Sequence, residues 1–416
     1  MHDGGKAEGG TFASLAYPEY RRLWISGLIV FMAVNAQGIA RGWLAKEITG
    51  TNAGLGGVLL GFGLAMLIAT PFGGVLADRM PKRRLIFIAH VLLAVSSVWI
   101  GLAIVFDVVA YWMLIASGAV QAVAFALYGP ARMAFIAELV EGETMNNAIV
   151  LGQMSAESMR IVGPTTAGMA IGVATWGLQA VFLVCAALCV VATVIGLFLP
   201  PGNPDANRPS RTPLAEMRDG LAYVRGREDL RLLMACALGV VMLAYPYLAF
   251  LPTLADDIFH RGSSGYGILS ACSAVGAVSA GLFTAGRGGR LEPWRLATIA
   301  GVGFGVGLLA LSIAPSFAVA MVILAAVGGS SLTFETTTQS LLLSLSDFEY
   351  HGRIQSIVML GYSGFGIVAL PLGLCADAFG LRPTLAGMGV AVLAIVAVFA
   401  SRRQRIVERE LLLDLG

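Results

Sequence analysis

The chain has 416 residues, of which 57% are hydrophobic and 12% charged, and its formal net charge is +2. A soluble globular chain carries about 25% charged residues, so this one lacks the polar surface to fold in water and reads as an integral membrane protein. The near-balanced charge gives no reason to expect a nucleic-acid partner.

The first ten residues, MHDGGKAEGG, have no apolar core and do not read as a signal peptide. Beyond a flexible tail at 1–16, apolar runs long enough to cross a bilayer, about 20 residues each, recur to the end. They predict twelve helices at 21–45, 54–77, 85–106, 108–131, 146–171, 176–199, 230–252, 264–286, 294–313, 316–341, 353–375 and 381–400. The fold expected is an all-α integral membrane protein. Barrel strands would be shorter and would alternate in polarity.

Charge tests the map independently of hydropathy. With the N-terminus inside, most of the 27 basic residues fall on one side: Arg21 and Arg22, then Arg79, Lys82, Arg83 and Arg84, then the connection after 200, and finally Arg402, Arg403, Arg405 and Arg409. The other side holds Lys46, Arg261 and Arg382. This asymmetry predicts cytoplasmic termini and anionic lipids as partners at the inner surface.

The connection 200–229 divides the chain into six-span bundles at 17–199 and 230–400, with a second cytoplasmic tail at 401–416. Beyond Pro213, the spacing of Leu214, Met217, Leu221 and Val224 predicts an amphipathic helix on the inner membrane surface. A constant offset of 207 places Gly74 on Gly281, Arg83 on Arg290 and Pro164 on Pro371. It indicates two parallel repeats, an arrangement suited to alternating access.

Four permanent charges lie within the spans: Arg41, Glu157, Arg160 and Glu335. Each would cost at least about 2.5 kcal/mol at the bilayer centre if it faced lipid, so they are expected to face protein or a water-filled cavity. Glu157 and Arg160, three apart, form a packing pair or a proton-binding acid with its partner. Glu335 has no basic residue in its own span and is the stronger proton-coupling candidate, with a structural hydrogen bond as its alternative. Asn35, Gln37, Arg41, Gln121, Gln153, Arg160, Gln339 and Tyr362 are candidates to line a substrate cavity. Polar side chains also join membrane helices by hydrogen bonding.

His90 reads as a core histidine, and the five cysteines have no metal-site spacing, so no metal is expected. Asp256, Asp257 and His260 cluster in an outer loop and read as solvated. The chain has no phosphate-binding loop, nucleophile elbow or zinc motif. No cofactor or enzymatic activity is expected.

The stretch from Gly74 to Arg83, GVLADRMPKR, resembles the first cytoplasmic loop motif of the major facilitator superfamily, G-x-L-A-D-[RK]-x-G-[RK]-[RK], with Pro81 in place of the usual glycine. YRRLW at 20–24, GWLAKEITG at 42–50 and YGPARMAFIAELVEGETMNNAI at 128–149 resemble the exporter branch that includes the enterobactin exporter and macrolide or multidrug efflux proteins. GPTTAG at 163–168 is similar to the exporter signature G-P-x-x-G-G, and Gly163, Pro164 and Gly168 are expected to form a helix bend.

The resemblance implies two six-helix bundles and export of an amphipathic organic solute (a drug, siderophore or metabolite) by proton antiport. The expected setting is a monomer in the bacterial inner membrane. Uptake of a nutrient or lipid, and a non-transporting receptor or scaffold, are the alternatives. The resemblance also implies a cytoplasmic gate of Gly74, Asp78, Arg79, Lys82, Arg83 and Arg353, in which Asp78 accepts hydrogen bonds from the eleventh span near Gly352. The repeat has Ala285 in place of Asp78, so this gate is expected to be asymmetric. The fourth span lacks the intramembrane arginine often found in the family, and the proton-coupling role passes to Glu335 or Glu157.

Overall fold

The structure, a computed structural model, describes residues 12–140, 144–172, 177–202, 213–287, 292–347 and 350–414. Among the described residues every regular element is helical. The first six long helices are α1 (Pro18–Thr49), α2 (Asn52–Arg79), α3 (Lys82–Val105), α4 (Tyr111–Leu139), α5 (Thr144–Gly172) and α6 (Gly177–Leu197). After the connection come α7 (Pro213–Gly226), α8 (Glu228–Ala244), α9 (Gly262–Arg287), α10 (Pro293–Ser312), α11 (Phe317–Ser344), α12 (His351–Phe379) and α13 (Leu381–Asp414). Eleven of the described helical segments are long and apolar enough to cross a membrane. The remaining long helix, α5, has 29 residues and is more polar, bearing Asn146, Asn147, Gln153, Glu157 and Arg160. Large apolar side chains such as Ile68, Phe72, Val95 and Val322 point outward, as a lipid-facing surface requires.

The seventh span departs from a continuous helix. Pro246 has no N–H to donate to the preceding turn, and α8 gives way at Tyr245 to a 3₁₀ segment, Tyr245–Phe250. One α-helical turn and a π turn then carry the chain to Ile258.

The chain forms two compact units whose boundary cuts through α1 and α2. Unit 1 takes the described residues of 1–41 and 68–210, and unit 2 those of 42–67 and 211–416.

In unit 1, α3 packs on α4 and α6. α5 approaches α1 where Gly163 faces the backbone of Met32, so that an added Cβ would lie 2.9 Å from the Met32 carbonyl oxygen. Pro164 lies inside α5 and Pro371 inside α12. Unit 2 has two contacts of the same kind. Gly276 of α9 abuts Ala325, and Gly328 of α11 abuts Ser273, while Gly305 and Gly389 bring α10 and α13 together. Without hydrophobic attraction between spans, such close packing is a main source of helix association in lipid.

The connecting helix α7 docks on α12 in unit 2. The rings of Tyr223 and Tyr350 stack at 3.8 Å, and the Tyr223 hydroxyl bonds Asp347 at 2.9 Å and accepts from Arg227 at 2.6 Å. Gly220 lies over Arg353, and Val224 is buried while Leu221 is exposed. The apolar stripe of this helix is thus divided between protein and surroundings. Tyr223→Ala removes the stack and the hydroxyl, together about 1–3 kcal/mol. Trypsin is expected to cut at Arg225 and Arg227 about tenfold faster in the variant, read by limited proteolysis.

Candidate functional site

Unit 1 brings several predicted residues into pairs. Gln37 and Arg41 share a face of α1, as residues four apart do. The Gln37 amide donates to Ser97 of α3, and the Arg41 guanidinium donates to Gln121 of α4. Gln37, Arg41 and Gln121 are all buried. Asn35 turns its amide back to the Phe31 carbonyl at 2.7 Å. His90 is fully buried with its ring 5.5 Å from that of Tyr128.

At the α2–α3 turn, Lys82 is buried and pairs with Glu138 at 2.9 Å. Arg83 donates to the Leu199 carbonyl at 2.9 Å, Arg79 is exposed, and Gly74 has open space beside it. Lys82 and Arg83 therefore anchor the turn within unit 1. The side chains of Asp78, Gln153, Glu157, Arg160 and Tyr362, together with Gly168, lie outside the described residues.

Unit 2 holds Glu335 in a more specific setting. Tyr245, at the helix break made by Pro246, donates its hydroxyl to Glu335 Oε2 at 2.7 Å. The Tyr245 and Tyr247 rings stand edge-on to Phe304, at 5.5 and 6.0 Å, and the Tyr247 hydroxyl meets Ser273 at 2.8 Å. This aromatic knuckle fixes the donor aimed at the carboxylate.

One turn along α11, Gln339 donates to Gln355 of α12 at 3.0 Å. A cavity of about 30 Å³ opens beside Glu335, bounded by Leu238 and Val241 of α8, Thr338 and Gln339 of α11 and Val358 of α12. By volume that is room for about two waters, and it is far too small for an organic substrate. Arg353, on the first turn of α12, stacks over Tyr350 at 4.8 Å.

Glu335 and Gln339 stand out in the sequence as polar groups within a span, whereas Tyr245, which bonds Glu335, does not. The signal was the Tyr-Pro pair inside an apolar span, where proline must open the backbone and re-aim its neighbour. At the other end of the span, Asp257, read as a solvated loop acid, pairs with Lys46 of α1. Among the described residues no three His, Cys, Asp or Glu side chains converge as a metal site.

A multi-pass helical membrane protein with buried polar pairs in its spans has an architecture that suits a transporter. The comparisons agree. The family model for transmembrane secretion effectors, a branch of the major facilitator superfamily, matches residues 9–412. The chain belongs to this family of transporters. It is 23% identical over 346 residues to the staphyloferrin A transporter of Staphylococcus aureus (strain NCTC 8325 / PS 47), covering 80% of this chain and 83% of that one. It is 24% identical over 349 residues to macrolide efflux protein A of Streptococcus pyogenes, covering 82% and 84%. Among solved structures it resembles the nucleoside transporter NupG, with a TM-score of 0.72 and 12% identity over 92% of this chain and 98% of that one. That likeness shows the fold alone.

Proposed function

We propose that the protein exports an amphipathic organic solute across the cytoplasmic membrane by proton-coupled alternating access, with Glu335 as the group that binds and releases the proton. The observation that carries the reading is the Glu335 carboxylate, set inside a membrane span and held by Tyr245 at a helix break beside a water-sized cavity. A proton-binding group must sit where water reaches it and where a change of charge is felt by a deformable backbone. The interrupted seventh span supports the second need, and the half-exposure of Glu335 supports the first.

The family match and a relative named for macrolide efflux support export. The charge asymmetry of the sequence supports cytoplasmic termini, and the repeat at offset 207 supports two six-helix bundles that exchange access. Arg41 with Gln121 is the candidate contact for a polar or anionic group of the solute in unit 1. Asp78, by its resemblance to the family motif, serves the cytoplasmic gate. Glu157 remains the second acid to test.

The deciding experiment is flux in proteoliposomes under an imposed pH gradient. The solutes to use are a macrolide and, separately, staphyloferrin A, taken from the named relatives. Accumulation that collapses with the gradient and runs outward with respect to the cytoplasmic face supports the proposal. Inward, gradient-independent movement supports uptake instead.

Tyr245→Phe removes one hydrogen bond to a charged group, worth about 1.5–3 kcal/mol. Coupled export is expected to fall about tenfold and its pH profile to shift, while elution in size-exclusion chromatography stays unchanged. An unaltered pH profile would remove Tyr245 from the coupling site.

A further inference from the structure

The outer end of α2 is held in unit 2 by a carboxylate of another helix. Asp377 lies two residues before the end of α12. Its Oδ1 accepts from the backbone N–H of Asn52 at 2.7 Å and from the Asn52 side-chain amide at 2.9 Å, and its Oδ2 accepts from the backbone N–H of Ala53 at 2.8 Å. Asn52 and Ala53 are the first two residues of α2, whose N–H groups have no partner within their own helix.

An acid at the end of its own helix faces the negative pole of that helix, whereas an acid at another helix's start faces a positive one. Asp377 is therefore poorly placed for α12 and well placed for α2. Charged acceptors on N-terminal amides form the stronger class of hydrogen bond.

The contact behind this cap is nearly bare backbone. An added Cβ on Gly366 would lie 2.5 Å from the Leu59 carbonyl oxygen, and one on Gly63 would lie 2.6 Å from that of Ser363. Gly56 against Ala369 and Gly373 against Asn52 continue the same seam. A face made of glycine and main chain interlocks few side chains, so it can part without repacking a core. A second strap lies nearby, where the buried Lys46 near the end of α1 pairs with the half-exposed Asp257.

The unit boundary passes through α2 itself, leaving 52–67 with unit 2 and 68–79 with unit 1.

We propose that Asp377 is an outer latch: its capping of α2 holds the outer half of that helix on α12, and its release opens the glycine seam from the external side during transport. Lys46 with Asp257 is the parallel strap. Asp377 acts as a positioning residue and need not touch the solute. The external placement rests on cytoplasmic termini, which the experiment tests separately.

Ser363, buried to 1% exposure on α12 opposite Gly63, reports on the seam. In a Cys375→Ser background, which removes the exposed thiol close to the latch, the thiol introduced by Ser363→Cys is titrated with a membrane-impermeant reagent. The reagent is applied to right-side-out and to inverted vesicles. Losing a charged cap shifts the closed-to-open ratio about tenfold. Asp377→Ala and the isosteric Asp377→Asn are each expected to speed labelling from the external side by about that factor, with faster hydrogen exchange at the amides of Asn52 and Ala53.

Unchanged labelling and exchange in both variants would overturn the latch. Labelling that rises only from the cytoplasmic side would overturn its external placement. If the alanine variant fails to fold, the asparagine variant decides.

Discussion

Replacing Glu335 by Gln is expected to abolish accumulative export while leaving a folded protein that still lets solute move down its own gradient. The carboxyl lies within a membrane span, where a permanent charge facing lipid costs at least about 2.5 kcal/mol. It is half-buried and takes a 2.7 Å hydrogen bond from Tyr245. Glutamine keeps the shape and an oxygen that accepts from the Tyr245 hydroxyl, so packing is preserved and proton exchange alone is lost. Glu335→Asp keeps the proton site but draws it back by about one methylene, and partial recovery is expected. Flux against and down a gradient, measured in the same liposomes, separates coupling from passage. If Glu335→Gln retains full gradient-driven accumulation, the coupling role passes to Glu157, whose own Gln variant then becomes the decisive one.

The second large effect is structural. Gly276→Ala and Gly328→Ala each place a methyl group against main chain: the first on Ala325 of α11, the second on Ser273 of α9. Backbone cannot rotate out of the way as a side chain can, so α9 and α11 must move apart. Overpacking of this kind costs about 1–3 kcal/mol per site. The two sites lie in one interface, so the double variant should lose less than the sum of the singles, because helices parted by one methyl already admit the other. Thermal unfolding in detergent is expected to show a lowered midpoint for each single variant and a sub-additive drop for the pair. Gly74→Ala, with open space beside it, is the control expected to leave the midpoint in place.

Much of the architecture was legible because bilayer physics is severe. A span must be long and mostly apolar, so hydropathy places most of the helices, although α5 is more polar and the seventh span is interrupted, and the period of Leu214, Leu221 and Val224 places α7. Intramembrane charge singled out Glu335 for the same reason.

What escaped were relations between distant segments. Arg41 and Gln121 were each chosen as cavity candidates, but their pairing joins α1 to α4 across 80 positions. Lys46 and Asp257 read separately as a topology signal and a loop acid, because nothing local states that 211 residues of chain bring them together. Asp377 drew no notice, since an acid at a helix end looks solvated until the start of another helix is seen beside it. Tyr245 was hidden by composition. A tyrosine in an apolar run passes for core, and although Pro246 marks an opened backbone beside it, proline is common in membrane helices, so the pair does not by itself name Glu335 as the partner.

Coupling of solute export to protons through Glu335 is read from proton movement itself. Purified protein is reconstituted in liposomes holding a pH-sensitive dye, and a macrolide gradient is applied. In the wild type protons are expected to move opposite to the solute and change the luminal pH accordingly, and in Glu335→Gln the pH is expected to stay constant although solute still equilibrates. An equal pH change in both proteins, or solute transport without any pH change in the wild type, would contradict it.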